Sequence, residues 1–307
     1  MLYMGNVNRF IFWILIPLIF ASYIAFRALV WSHYDDGEYL KIIEQHSVNL
    51  SNLNDVNCLI LGGSNSNFSL SAEQMSRDKN LTCYNISIFD EGLSDDMFFQ
   101  IIDSMPINKI EITNVFYSTT LLLNPNKSRS TLRENNGKFG ISGNNSFNLL
   151  GRSFASFLMN LLKGKPFFFN TKKYPKPNSS GDFNFDRYDG CNSSSIRVGP
   201  ALAWNANDAF KKLLNARISR IQSLFQKNSK IYFVLPSNFR KKESEYKRTK
   251  YSNFLQETLT NQSIIYIEQS PYVNRDVLCD SVDHANELGR ELRTSELLKL
   301  TQTFETD

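Results

Sequence analysis

Ser64 and His284, far apart in this chain, have the types and surroundings that nucleophilic catalysis needs. A serine hydroxyl attacks poorly until a neighbouring base takes its proton, and a histidine oriented by a carboxylate is an effective base for that purpose. Ser64 ends the run Cys58-Leu59-Ile60-Leu61-Gly62-Gly63-Ser64, where an apolar segment turns at two glycines toward the polar cluster Asn65-Ser66-Asn67 and a helical pattern through Ser71-Ala72-Glu73-Gln74. Of the three histidines, His33 and His46 lie near the apolar N-terminal stretch, which leaves His284 as the base for the rest of the chain. It stands just before a helical pattern in V-L-C-D-S-V-D-H-A-N-E-L-G, with Asp280 and Asp283 both within reach along the same loop.

A serine and a histidine 220 positions apart meet only if a sheet brings their loops to one edge. The run at 57–62 does not alternate, so it reads as a strand covered on both faces. Further strands are expected at 81–88, 112–119, 231–236 (ended by Pro236) and 263–267, with helices at 94–104, 206–227, 246–260 and 285–302. Strand and helix patterns in alternation imply a parallel α/β sheet, and ligands bind such sheets at the carboxyl ends of the strands. The pattern fails from about 121 to 206, apart from a helical stretch at 148–162. That segment is expected to be an insertion with its own packing. The Phe and Tyr residues of 167–188 within it would either stack on sugar rings or serve as ordinary core.

Residues 10–26 carry no charge, and with Arg27-Ala28-Leu29-Val30-Trp31 the apolar stretch reaches about 22 residues, or roughly 33 Å of helix, enough to cross a bilayer core. Arg9 precedes it, and Asp35, Asp36 and Glu38 follow, which orients the short N-terminus toward the cytoplasm. We read 1–34 as an uncleaved signal anchor, 35–55 as a juxtamembrane linker and 56–307 as the exported domain. A cleaved signal peptide competes, but the run is long for one and shows no small-x-small cleavage site.

The chain has 307 residues, 42% of them hydrophobic, and a net charge of +4. Its basic residues are scattered, and the densest run, Arg240-Lys241-Lys242 onward, is interrupted by Glu243 and Glu245, so no nucleic-acid partner is expected. Cys58, Cys83, Cys191 and Cys279 show no C-x-x-C spacing, and neither a metal nor a nucleotide cofactor is expected. Cys58 and Cys83 sit in apolar strand-like runs as buried thiols would, while the even count leaves disulfides open outside the cytoplasm, with Cys191–Cys279 or Cys58–Cys83 as the pairing.

The pairing of these two blocks resembles the SGNH, or GDSL-type, hydrolase superfamily. It is most similar to the membrane-anchored SGNH-like proteins associated with bacterial cell-surface polysaccharides. The resemblance spans about 57–302. Gly62-Gly63-Ser64 matches G-D-S, with Gly63 in place of the aspartate, and His284-Ala285-Asn286-Glu287-Leu288-Gly289 matches H-L-N-x-x-G. It implies a flavodoxin-like three-layer α/β/α sandwich with a mostly parallel five-stranded sheet. It makes Ser64 the nucleophile, His284 the base and Asp280 the acid, with Asp283 as the alternative. The backbone N–H groups of Ser64 and Gly92 would form the oxyanion hole. The G-x-N-D block of the family is missing, and Ser118, Thr119, Thr120 and Asn124 occupy its approximate place.

The implied activity is an acyl ester hydrolase or O-acyltransferase acting on acyl, above all acetyl, groups of a surface polysaccharide. The implied site of action is a domain held by one inner-membrane span in the periplasm or outside the cell. Acylated glycan and envelope polysaccharide assembly proteins are the implied partners. The two departures from the family pattern favour an alternative, a catalytically inactive SGNH-like protein that binds glycan or scaffolds an assembly.

Overall fold

The computed structural model describes residues 20–23, 42–79, 81–87, 95–109, 111–119, 175–199, 207–239 and 245–303. The chain divides into two compact units. One comprises 1–41 and 136–173 and is described only at 20–23, a helical turn with Phe20 and Tyr23 exposed. The other comprises 42–135 and 174–307 and holds everything below. No helix among the described residues is long and apolar enough to cross a membrane. The expected anchor at 10–31 lies outside them except for 20–23, and so do Gly92 and the expected helix at 148–162.

The larger unit is an α/β fold. It begins with α1 (42–51), followed by β1 (Cys58–Gly62), α2 (Ser64–Ser69), α3 (Ala72–Lys79), β2 (Cys83–Asn85), α4 (Asp95–Ser104) and β3 (Asn114–Ser118). It continues with α5 (Asp208–Leu224), β4 (Lys230–Val234), α6 (Glu245–Thr260), β5 (Ile265–Ile267) and α7 (Glu287–Thr303). The five strands form one sheet in the order β2-β1-β3-β4-β5, and every pairing is parallel. This is the flavodoxin-like order, in which the connections run in opposite directions from β1 and leave a crevice between the carboxyl ends of β1 and β3.

Register explains why the strands read as unbroken apolar runs. Ile60 pairs with Asn85 and Phe116, and Phe116 pairs with Tyr232, so these residues share one face. On that face Cys58, Ile60, Cys83, Phe116, Tyr232, Val234 and Ile267 pack against Leu70, Ala72 and Met75 and against Leu297 and Leu298 of α7. Leu59, Leu61, Tyr84, Val115, Tyr117, Ile231, Phe233 and Tyr266 point the other way and are equally buried. There Arg217 of α5 donates to the Tyr117 hydroxyl at 2.7 Å. Cys58 and Cys83, opposite each other on β1 and β2, are joined by a disulfide.

Two stretches expected to lie outside the core pack into it. Residues 42–51 are helical, with Ile42, His46 and Leu50 buried, and the His46 ring meets the Tyr84 hydroxyl at 3.0 Å. The end of the expected insertion, 175–199, is pinned by Asp182, which is fully buried. Its carboxylate accepts from the backbone amides of Ala72 and Glu73 that open α3, from the Ser71 hydroxyl and from the side-chain Nδ2 of Asn85. An acceptor there satisfies amides that the first turn of a helix leaves without intrahelical partners.

Candidate active site

The turn after β1 is built around Gly62. Its φ of +154° is one that residues with side chains rarely adopt, and a Cβ there would strike the carbonyl oxygen of Ser118, its partner on β3. The chain therefore passes close over the end of β3 and enters α2 with Gly63 as N-cap and Ser64 as the first helical residue. The Gly63 carbonyl takes the amides of Ser66 and Asn67. The Ser64 amide, at the start of the helix, belongs to the group without an intrahelical acceptor.

The loop after β5 supplies the other half. An antiparallel bridge between Leu278 and Ala285 closes it, and the Cys279 amide donates to the His284 carbonyl at 2.9 Å. Asn286 then caps α7. Its side-chain oxygen accepts from the Gly289 amide at 2.9 Å, and its side-chain nitrogen donates to the Asp276 carbonyl at 2.8 Å. The H-x-N-x-x-G block thus has a local meaning, since Asn286 fixes the start of α7 and so the direction in which His284 leaves the loop.

These elements bring Ser64, His284 and Asp280 together. Asp280 Oδ1 lies 2.7 Å from His284 Nδ1, and His284 Nε2 lies 3.0 Å from Ser64 Oγ. A carboxylate only accepts, so Nδ1 carries the proton and Nε2 is left to accept from the Ser64 hydroxyl. The side chain of His284 is 12% exposed and that of Asp280 4%. Asp283, the alternative acid, holds the site together through its backbone: its carbonyl accepts from Asn65 Nδ2 at 3.3 Å and from Ser237 Oγ at 3.2 Å. The carboxylate on the histidine is that of Asp280.

Three neighbours went unnamed in the sequence. Phe68 lies under His284, with ring centroids 4.1 Å apart and planes 5° from parallel. It falls four residues after Ser64, which places the two on one face of α2, and that spacing was the signal available for it. Tyr188 donates its hydroxyl to Asp280 Oδ2 at 2.8 Å. Phe183, 1% exposed, packs on Phe68 with centroids 4.2 Å apart, so Phe183 and Tyr188 of the aromatic stretch serve as core and as part of the site. The Cys191–Cys279 disulfide lies beside them and joins the Tyr188 loop to the residue before Asp280.

Of the oxyanion candidates, Ser64 is described, whereas Gly92, Thr120 and Asn124 lie outside the described residues. Ser118 ends β3 in register with Gly62. It is 1% exposed, and its hydroxyl meets no hydrogen-bond partner among the described residues. No group of three or more His, Cys, Asp or Glu side chains among the described residues is placed to hold a metal ion. A serine, a histidine and a buried carboxylate in this sequence of contacts are equipped to transfer an acyl group through a covalent serine ester. Comparison with protein-family models, curated proteins and solved structures gives no match for this chain.

Proposed function

We propose that the protein is an SGNH-type serine acyl hydrolase or O-acyltransferase. The observation that carries this reading is the continuous hydrogen-bond chain from Ser64 through His284 to Asp280 at the carboxyl edge of the sheet. His284 Nε2 takes the proton as Ser64 Oγ attacks an ester carbonyl. The oxygen that becomes negative is held by the Ser64 backbone N–H, with Gly92 as the second donor that the family resemblance implies. The tetrahedral intermediate collapses, His284 returns the proton to the departing alcohol, and an acyl-serine remains. Water or a sugar hydroxyl, activated by the same histidine, then releases the acyl group. Asp280 keeps the proton on Nδ1 and stabilises the imidazolium that forms at each step.

The substrate class, acetyl esters on a cell-surface polysaccharide, comes from the resemblance to membrane-anchored SGNH-like proteins, as does the three-layer form of the fold. Export through a single inner-membrane anchor is supported by the uncharged stretch at 10–26 and by two disulfides, which persist in oxidising compartments. A catalytically inactive, glycan-binding or scaffolding role is the second reading. It is favoured by the end of β3, where Ser118 stands in place of the family's asparagine block.

A fluorophosphonate probe tests the choice. Wild-type protein is expected to label and Ser64→Ala is not, and acetate release from envelope polysaccharide is expected to follow the same division. A folded wild-type protein that takes no label at pH 8 would overturn the catalytic reading and leave the binding one.

A further inference from the structure

The carboxylate of Asp280 has two oxygens, and the serine mechanism uses one of them. The second, Oδ2, accepts from the Tyr188 hydroxyl at 2.8 Å, 92 residues earlier in the chain. With its side chain only 4% exposed, Asp280 depends on protein donors for solvation. A buried charge without such donors is strongly unfavourable. Tyr188 supplies a neutral donor that favours the carboxylate without competing for the histidine.

The hydroxyl is held where it is by three independent contacts. The Tyr188 ring, in a residue 7% exposed, sits in a cluster with Phe68, Phe183 and Cys279, its centroid 5.1 Å from that of Phe183. Three residues on, Cys191 is bonded to Cys279, the residue before Asp280, so the loop that brings the donor and the loop that brings the acceptor are covalently joined. Gly190 lies against the far end of the ring, where a Cβ would collide with Tyr188 Cζ and its hydroxyl oxygen.

The geometry points to Tyr188 as a positioning residue, the fourth member of a Ser64–His284–Asp280–Tyr188 relay, held on Asp280 by the Cys191–Cys279 disulfide. This inference rests on the catalytic reading above and deepens it. Tyr188 acts through Asp280, whose charge and orientation it sets. When its donor is lost, the negative charge gathers on Asp280 and draws a proton to the Asp280–His284 couple more readily. The couple is then inactivated by acid at higher pH. The charged groups on the surrounding elements include Asp182, Asp186, Arg187 and Asp189 on the Tyr188 loop, Arg275, Asp276 and Asp283 on the Asp280 loop, and Glu287 and Arg290 on α7. Arg290 is turned onto the Phe183 carbonyl at 2.8 Å and over the Phe185 ring.

The test uses two readouts on the full chain. The first is the rate of Ser64-dependent fluorophosphonate labelling between pH 5 and 9. The second is the low-field NMR resonance of the His284 Nδ1 proton, which needs no activity. In Tyr188→Phe the acid limb of labelling is expected to move up by about one pH unit, and the Nδ1 resonance to move downfield as Asp280 is left to His284 alone. Gly190→Ala, which displaces the hydroxyl while keeping it, and Cys191→Ala/Cys279→Ala, which releases the loop, are expected to shift the acid limb in the same direction. A Tyr188→Phe protein with the wild-type acid limb and the wild-type Nδ1 resonance would overturn the proposal even if Ser64 labels normally. If wild type takes no label but its Nδ1 resonance responds to Tyr188→Phe, the catalytic reading falls and the hydrogen-bond relay stands.

Discussion

The imidazole of His284 lies flat on the ring of Phe68, 4.1 Å away and 5° from parallel. Phe68 belongs to the helix that begins with Ser64, so the helix that presents the nucleophile also supplies the surface on which its base rests. The face of an aromatic ring attracts a cation, and His284 becomes cationic when it takes the serine proton. The contact therefore favours the transition state over the resting state. Phe68→Leu keeps an apolar side chain at a fully buried position but removes the flat face and some volume. We expect Ser64 labelling to slow about tenfold while stability falls by about 1–2 kcal/mol. Labelling rates together with urea unfolding check this, and a labelling rate equal to wild type would remove Phe68 from the mechanism.

Asp280 was the expected acid and Asp283 the alternative, and the contacts separate them. Asp280 binds the histidine through its side chain, whereas Asp283 serves through its carbonyl, which holds Asn65 and Ser237. An amide at 280 presents either a donor or an acceptor to Nδ1 and no longer selects the reactive tautomer. Asp280→Asn is expected to slow Ser64 labelling by about 10⁴-fold, while Asp283→Asn, with its backbone unchanged, stays within a few-fold of wild type. If the two variants ranked the other way in a side-by-side labelling time course, the assignment of the acid would be wrong.

What the sequence showed and what it hid divide along a physical line. The strands of a parallel sheet are buried on both faces, so β1 and β4 stood out as unbroken apolar runs. Their observed limits, Cys58–Gly62 and Lys230–Val234, fall close to the expected 57–62 and 231–236. Edge strand β2 was read too long, as 81–88: the strand itself is Cys83–Asn85, and only the Thr82 carbonyl and the Ile86 amide extend its bonding to β1. On its outer edge the backbone amide of Asn85 donates to the Ser180 carbonyl, so a loop covers that side. Ser64 and His284 were legible because each sits at a recognisable break, a Gly-Gly turn and a helix start. Tyr188 and Asp182 were not. Each acts on residues about a hundred positions away, and nothing local distinguishes one tyrosine or aspartate in an irregular segment from another. The one sequence clue was the pairing of Cys191 with Cys279, which, once granted, places the neighbourhood of 188 beside 280.

The last prediction concerns α1, the helix that follows the expected anchor. His46 is fully buried, its Nδ1 meets the Tyr84 hydroxyl at 3.0 Å, and its Nε2 has no hydrogen-bond partner among the described residues. Burial penalises the charged ring and pushes its pKa down from 6.5 to about 4. The unfolded chain therefore binds a proton on His46 between those values and the folded chain does not, so the unfolded state gains as pH falls. The contribution of His46 to stability is complete above pH 6.5, declines as pH drops through that window, and is exhausted near pH 4. The loss amounts to about 3 kcal/mol across the window. His46→Gln keeps a polar group near Tyr84 without a titrating ring. Its urea unfolding free energy, measured at pH 7.5 and again at pH 4.5, is expected to change less than that of wild type by roughly this amount. Equal pH dependence in the two proteins would show that His46 is not the group that makes this fold acid-sensitive.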